Sequence, residues 1–326
     1  MSVAACLALY GFAVAVLAPK LLRSVNHAGA VPHVALAAWL GAIASTVLAW
    51  AIALAVLIID IVTHPFSITP RHFVDSCLLH LHDALIGRYG LPVQTGLLLL
   101  GGFAGLAATI CATRLGTTLF RARRNTLEHG RLARMAGRHH PDLDAVVLEV
   151  DEPAAYCVAG KPHTVVVSRG VLAVLDEDQL DAVLAHERAH LAGRHHLLLA
   201  LTRSFAAVMP RISLFTIGAR EVARLLEMIA DDAAARIHGR PVVLGALRTL
   251  AGIATGPTGS LGAAEVGIES RVRRLEGPTA PAALRAKTRL AFVAMTAMAT
   301  LVPLAAVLTA AIGIAVCAPI PGGGHL

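Results

Sequence analysis

Four long apolar segments constrain the fold of this 326-residue chain more than any other feature of its sequence. They cover residues 3–19, 34–62, 93–112 and 290–316. Each is about as long as a helix must be to cross the hydrocarbon core of a bilayer. With 56% hydrophobic and only 15% charged residues, the composition is also too apolar for an ordinary soluble domain. We therefore predict a mainly α membrane protein with four transmembrane helices.

Basic residues cluster at both ends of the segment between the third and fourth predicted spans. They are Arg114, Arg121, Arg123, Arg124, Arg131, Arg134 and Arg138 after the third span, and Arg271, Arg273, Arg274, Arg285, Lys287 and Arg289 before the fourth. The positive-inside rule then places residues 113–277 in the cytoplasm and both termini outside the plasma membrane. The net charge of +7 follows mainly from this topology. Because these arginines lie close to the membrane, we expect no direct binding of nucleic acid.

This topology divides the chain into three parts. Residues 1–112 contain three spans with short loops, residues 113–277 form one cytoplasmic domain, and residues 278–326 contain a linker, the fourth span and a short outside tail. We assign residues 64–91 to an outside loop and the glycine-rich residues 256–267 to a mobile loop. The apolar run at 197–217 contains two arginines and Pro210, which favour a core or membrane-surface helix over a fifth span.

The cytoplasmic part shows both strand and helix patterns, which predict an α+β domain. Strand-like runs occur at residues 145–150, 154–158 and 164–168 and indicate a small β-sheet. A helix is predicted next, because Asp176 and Gln179 have the spacing of an N-terminal capping box. This helix carries the sequence His-Glu-Arg-Ala-His at residues 186–190.

The His-Glu-x-x-His motif indicates a catalytic metal site. On a helix, His186 and His190 lie one turn apart on the same face, where both imidazoles reach one ion. Glu187 projects beside them, where a base could take a proton from an attacking water. A surface helix with incidental histidines is the alternative interpretation. The five cysteines form no Cys-x-x-Cys pair and are not predicted to be ligands.

A catalytic zinc site needs a third protein ligand, and two candidates compete for that role. His196 completes a longer pattern that includes Gly193, in which a helix break lets a third histidine reach the ion. Glu227 lies one turn before Asp231 on a later predicted helix. In that arrangement Asp231 accepts a hydrogen bond from the far nitrogen of a ligand histidine. The spacing of the residues leaves both candidates open.

The sequence around these motifs resembles that of gluzincin-type membrane peptidases. The likeness is carried by residues 165–180, 186–190 and 227–234, and extends over residues 145–275. It is greatest to the antirepressor peptidases of the BlaR/MecR type and more distant to HtpX and the prenyl-protein endopeptidases. The order of three spans, a peptidase domain and one span also matches. The resemblance implies a zincin-type fold in which Zn²⁺ is bound by His186, His190 and Glu227, with Glu187 as the base.

The resemblance implies a zinc metalloendopeptidase that cleaves a protein or peptide at the cytoplasmic face, and a cytoplasmic transcriptional repressor is the expected kind of substrate. The antirepressor sensors carry a large extracellular domain after the last span, whereas only residues 318–326 follow it here, so direct β-lactam sensing is not expected. Two alternatives are an HtpX-like quality-control protease and a signalling scaffold. The scaffold would hold a structural zinc, with His195 or His196 as its fourth ligand. The chain is also compatible with a homodimer.

Two further expectations concern the substrate. An extended peptide is expected to add a strand along an exposed edge of residues 164–168. The developing oxyanion needs a donor besides zinc, and Arg271 is the candidate for that role. The alternative for Arg271 is that it is one of the membrane-proximal arginines that determine topology.

Overall fold

The computed structural model describes residues 3–25, 31–63, 91–160, 162–254, 265–278 and 281–317. The loop predicted at residues 64–91 lies outside these ranges except for Leu91, and so does the loop predicted at 256–267 up to residue 264. Within the described ranges the elements are α1 (Val3–Val25), α2 (Pro32–Thr63), α3 (Leu91–Ala136), β1 (Arg138–His140), β2 (Ala145–Leu148), β3 (Ala155–Val158), β4 (Thr164–Ser168), α4 (Arg169–Val174), α5 (Glu177–Ala192), α6 (His195–Val208), α7 (Ser213–His238), α8 (Arg240–Ala254), α9 (Glu265–Glu276) and α10 (Ala282–Cys317).

Three helices are long and apolar enough to cross a membrane, counting only the described residues. The candidate spans are Ala4–Val25, Pro32–Ile58 and Gly101–Ala136. The fourth predicted span, at residues 290–316, lies within α10 and stays a prediction, as does the orientation of the termini. Helix α3 has 46 residues, and its length of about 69 Å exceeds the roughly 30 Å hydrocarbon core. It runs without a break through the domain boundary predicted at residue 112.

The membrane helices and the following domain share one hydrophobic core. In this core, buried side chains of α1 and α2 pack against α6, α7 and α10. The large aromatic members are Trp39 of α2, Phe205 of α6, Phe215 of α7 and Phe292 of α10. Helix α7 approaches α2 closely at Gly218, where an added Cβ would lie 3.2 Å from the Cδ1 atom of Ile43. The first half of α7 is therefore held by membrane helices.

The apolar run at residues 197–217 forms α6 and the start of α7. A break at residues 209–212, which contains Pro210, separates the two helices. The run contributes Phe205, Leu214 and Phe215 to the buried core. It is not among the candidate spans of the described chain. The structure therefore agrees with the prediction of a core or membrane-surface segment rather than a fifth span, although the run forms parts of two helices instead of one.

The four strands form one mixed sheet in the order β1-β2-β4-β3. Strand β2 is parallel to β4, whereas β1 and β3 pair antiparallel with their neighbours. The bounds of β4 match the prediction, and β2 and β3 are shorter than predicted. Strand β1 was not predicted, because its short polar sequence, Arg-His-His, lacks the alternation of a half-buried strand.

The expectation that residues 164–168 expose a sheet edge is wrong. Strand β4 lies between β2 and β3, and all five of its residues are buried. Strand β3 is instead the last in the sheet order among the described strands. The Ser168 amide donates to the Ala154 carbonyl at 2.8 Å. In an antiparallel pair, the N–H and C=O groups of successive residues point alternately toward the partner strand and away from it. Because the Ala154 carbonyl points toward β4, the N–H and C=O groups of Ala155 and Cys157 point away from β4, to the outer edge of β3.

Helix α5 begins as its capping residues predict. The Asp176 carboxylate accepts a hydrogen bond from the Gln179 amide at 2.8 Å. On one side, Leu184 packs into a cluster with Val165 and Val167 of β4. On the other side, Ala182 packs in a cluster with Ala234 of α7. Helix α5 is thus fixed between the sheet and α7.

Candidate metal centre

His186, His190 and Glu227 converge on one point between α5 and α7. The two Nε2 atoms of the histidines lie 3.1 Å apart. The Glu227 carboxylate places Oε2 at 3.4 Å from His186 Nε2, and Oε1 at 3.5 Å from His190 Nε2. Within the described part of the chain, these three side chains form the group whose ligand atoms could hold a metal ion.

The spacing of these atoms fits a tetrahedral zinc ion. Zinc binds histidine nitrogen and carboxylate oxygen at about 2.0–2.2 Å, so neighbouring ligand atoms of a tetrahedron lie about 3.3–3.5 Å apart. The two histidine nitrogens lie 3.1 Å apart, close to that range. Each nitrogen also has one Glu227 oxygen within that range, Oε2 at 3.4 Å from His186 and Oε1 at 3.5 Å from His190, so both carboxylate oxygens face the centre. Two imidazoles and one carboxylate are also the ligand types that catalytic zinc sites use.

The far nitrogen of His186 is held by a carboxylate. Its Nδ1 atom lies 3.1 Å from Oδ1 of Asp231, a residue that is buried on α7. Burial opposes protonation of His186, but its hydrogen bonds with Asp231 and Glu227 raise its pKa to about 9. Asp231 thus lies at the far nitrogen of His186, the position in which the predicted hydrogen bond would hold the ring with Nε2 directed at the centre.

Arg271 of α9 joins the two carboxylates of α7. Its Nε and Nη2 atoms donate to the two Asp231 oxygens at 2.8 and 2.7 Å. Its Nη1 atom lies 3.1 Å from Oε2 of Glu227. Burial would raise the pKa of Glu227, yet His186 and Arg271 lower it to about 2. Arg271 is thus part of the site rather than an exposed arginine at a membrane end, and its oxyanion role stays a prediction.

The far nitrogen of His190 meets a different partner, His195. The two Nδ1 atoms lie 2.8 Å apart, and His195 is only 4% exposed. Burial lowers the pKa of His190 to about 4, against the opposing effect of Glu227. The uncharged imidazole that results is the form that binds a metal ion.

His196, the rival third ligand, does not join this group. It lines a separate cavity of about 340 Å³ between α3 and α6, together with Thr118 and Arg203. Glu227 therefore has the position that the resemblance implies for the third ligand. From the sequence, His195 is predicted only as the fourth ligand of a structural zinc site. The structure instead places its Nδ1 atom at the far nitrogen of His190.

Glu187 lies beside the converging atoms and is paired with strand β3. Its carboxylate lies close to Cys157, whose thiol and backbone amide lower the pKa of Glu187 against the effect of burial. Burial is the main reason that the pKa of Glu187 is raised. Burial and the nearby Glu187 also raise the pKa of the Cys157 thiol to about 12. Cys157 was missed from the sequence because a lone cysteine in a strand forms no motif.

A cavity of about 380 Å³ opens on the centre. One end is polar and contains His186, Glu187, Glu227 and Arg271. Ala155 of β3 lies on its rim, and the remaining wall consists mostly of aliphatic side chains. They are Val183, Val243, Leu247, Leu250 and Ile268. The cavity thus joins the polar candidate centre to an apolar surface and to strand β3.

Comparison with known families agrees with this geometry. Residues 122–222 match the model of Peptidase family M48, a range that contains the His186–His190 motif and ends before Glu227. The match, the converging ligand atoms and the candidate spans together support a membrane metalloprotease.

The similar proteins with curated descriptions include several named as protease HtpX homologues. The homologue from Aquifex aeolicus is 26% identical over 151 residues, covering 43% of this chain and 48% of its own length. The one from Salinibacter ruber is 32% identical over 114 residues, covering 33% and 41%. The one from Sulfurihydrogenibium sp. is 29% identical over 164 residues, covering 39% and 55%. The chain thus spans about half the length of these relatives. No solved structure matches at a comparable level of significance.

Proposed function

We propose that this protein is a membrane-embedded, zinc-dependent endopeptidase that hydrolyses peptide bonds at the cytoplasmic face. The observation that carries the proposal is the convergence of the His186 and His190 Nε2 atoms with the Glu227 carboxylate beside a half-buried Glu187. In this proposal the first three residues hold the ion and Glu187 is the catalytic base. The cytoplasmic location rests on the basic residues that flank the spans.

The bound zinc would act as a Lewis acid that polarises the scissile carbonyl and lowers the pKa of the attacking water. Glu187 takes the proton from that water and transfers it to the leaving amine. Its raised pKa suits both steps, because a carboxylate with a pKa closer to neutrality both accepts and returns a proton. Cys157 lies close to the Glu187 carboxylate on the side of β3 and favours its charged form.

The outer edge of β3 is the proposed binding site for the substrate backbone. The N–H and C=O of Ala155 point away from β4 and can pair with an extended peptide. A peptide on this edge passes the Glu187 side chain, because Cys157 of the same strand contacts it. The aliphatic wall of the neighbouring cavity then receives one substrate side chain.

Two biological roles are consistent with this chemistry. Regulatory cleavage of a repressor-like protein is favoured by the resemblance of residues 145–275 to antirepressor peptidases. A quality-control role is favoured by the likeness to HtpX homologues. A proteomic comparison of cells carrying the wild type or an inactive variant separates the two roles. Accumulation of one cytoplasmic transcription factor supports the first, and accumulation of many membrane proteins supports the second.

The catalytic role of Glu187 is tested with Glu187→Gln, which preserves the shape of the side chain. We expect the purified variant to retain zinc and to lose cleavage of labelled casein by about 10²–10⁴-fold, the usual contribution of a general base. The matched control is Glu177→Gln, an exposed residue in the first turn of the same helix, which should keep wild-type activity. Undiminished cleavage by Glu187→Gln would contradict the proposed base.

A further inference from the structure

We propose that His195 is a positioning residue that accepts the Nδ1 proton of His190 and so holds that ring in the tautomer and orientation needed to bind zinc. The proposal rests on the proposed function, because it concerns a ligand of the same centre. It assigns a role to a residue outside the His-Glu-x-x-His motif and outside the Glu227–Asp231 pair.

The geometry of the two rings carries the inference. Their Nδ1 atoms lie 2.8 Å apart, and their centroids are 4.7 Å apart with the planes at 88°. This distance requires a hydrogen bond, so one Nδ1 atom donates and the other accepts. The Nε2 atom of His190 lies on the opposite side of its ring, directed at His186 Nε2 and Glu227. A nitrogen that binds metal carries no proton, so Nδ1 of His190 is the donor and Nδ1 of His195 is the acceptor.

The turn between α5 and α6 places His195 next to His190. Helix α5 ends at Ala192, and Arg194 has a φ of 49°, in the left-handed region that residues other than glycine rarely adopt. The turn brings His195, the first residue of α6, back beneath the end of α5. Gly193 lies so close that an added Cβ would be 2.4 Å from His195 Nε2. The left-handed backbone at Arg194 thus turns the chain toward His190, and the missing side chain at Gly193 leaves room for the His195 ring.

The two ligand histidines are therefore held by chemically different partners. His186 is paired with the buried carboxylate of Asp231, whereas His190 is paired with an imidazole. Partners behind metal-binding histidines orient the ring and increase its basicity, and their loss typically weakens metal binding about 10–100-fold. The neighbouring His196 lines another cavity and provides a matched control.

The test measures zinc affinity of the purified full-length protein by competition with a chromophoric chelator. We expect His195→Ala to weaken zinc binding about 10–100-fold and His196→Ala to leave it unchanged. Two amide variants then distinguish positioning from mere filling of space. The Oδ1 atom of asparagine is bonded to Cγ, as Nδ1 of histidine is, whereas the Oε1 atom of glutamine lies one bond further out. His195→Asn should thus restore affinity to within about 3-fold of wild type, and His195→Gln should not.

Wild-type zinc affinity in a folded His195→Ala protein would overturn the proposal, and so would equal affinities for His195→Asn and His195→Gln. The Asn and Gln comparison remains decisive if His195→Ala fails to fold. A wild-type protein that binds no zinc, or binds it and cleaves nothing, would overturn the proposed function instead. If the wild type binds zinc and cleaves casein while His195→Ala binds zinc with unchanged affinity, only the proposed role of His195 is refuted.

Discussion

Replacing Arg271 by leucine tests whether this arginine holds the site together or acts on the reaction. The Arg271 side chain is 14% exposed, and its partner Asp231 is 1% exposed. The substitution removes both hydrogen bonds from Arg271 to Asp231 and the 3.1 Å contact with Glu227. Asp231 would then remain buried with His186 as its partner in the described structure. Breaking a buried ion pair by removing one member costs about 3–5 kcal/mol.

The expected loss is large enough to be measured as a melting temperature. For a domain of about 150–250 residues, such as the one predicted at residues 113–277, each kcal/mol shifts the melting midpoint by about 2–4 °C. A loss of about 3–5 kcal/mol should thus lower the melting temperature of the zinc-free Arg271→Leu protein by about 6–20 °C. The assay is thermal unfolding of the detergent-solubilised protein in excess chelator. The matched control is Arg273→Leu on the same helix, because Arg273 and its partner Glu269 are both 71% exposed. Such a surface pair contributes less than about 1 kcal/mol.

A double variant separates the ion pair from other effects of the substitution. Asp231→Asn with Arg271→Leu should cost less than the sum of the single variants, since the uncompensated charge is absent. If Arg271→Leu melts no lower than Arg273→Leu and only slows cleavage, the structural reasoning is refuted. That outcome would favour the predicted role of Arg271 as an oxyanion donor.

Two further predictions concern the third ligand and the substrate edge. Glu227→Ala should lose bound zinc in metal analysis, whereas His196→Ala should retain a full equivalent; the reverse result would make His196 the ligand. Ala155→Pro removes an N–H that points to the outer edge of β3, a position where proline is tolerated. It should reduce kcat/KM for peptides about 5-fold, the value of one hydrogen bond, with little change in melting temperature. Ala155→Val keeps the N–H and is the control, and an equal loss in both variants would argue against pairing at this edge.

The features that could be predicted from the sequence depend on short-range spacing. The Asp176 cap, the turn that separates His186 from His190 and the extent of β4 all follow from residues within a few positions of each other. Local rules of hydrogen bonding and side-chain periodicity determine such features. The predicted start of α5 and the predicted bounds of β4 therefore agree with the structure.

The features that could not be predicted depend on packing between distant elements. The placement of Glu227 beside the two histidines, and of His196 away from them, depends on how α5 packs on α7 and on the left-handed residue Arg194, neither of which is visible in spacing. The edge of the sheet was misassigned for a similar reason, since strand order is a tertiary property. His195 and Cys157 belong to no motif. The position of His195 depends on the turn between α5 and α6, which returns it to His190, and Cys157 approaches Glu187 from a strand distant in sequence.

The packing of α7 links the candidate metal centre to the membrane helices. Its first half packs on α1 and α2 through side chains such as Phe215, and Gly218 allows close approach to Trp39. Its second half carries Glu227 and Asp231. The two histidines of the candidate centre belong to α5, which packs on the sheet and also directly on α7. The distance between the histidines and Glu227 therefore depends on how α5 is held between the sheet and α7. Because the first half of α7 packs on α1 and α2, these two helices belong to the core that positions Glu227 relative to the histidines.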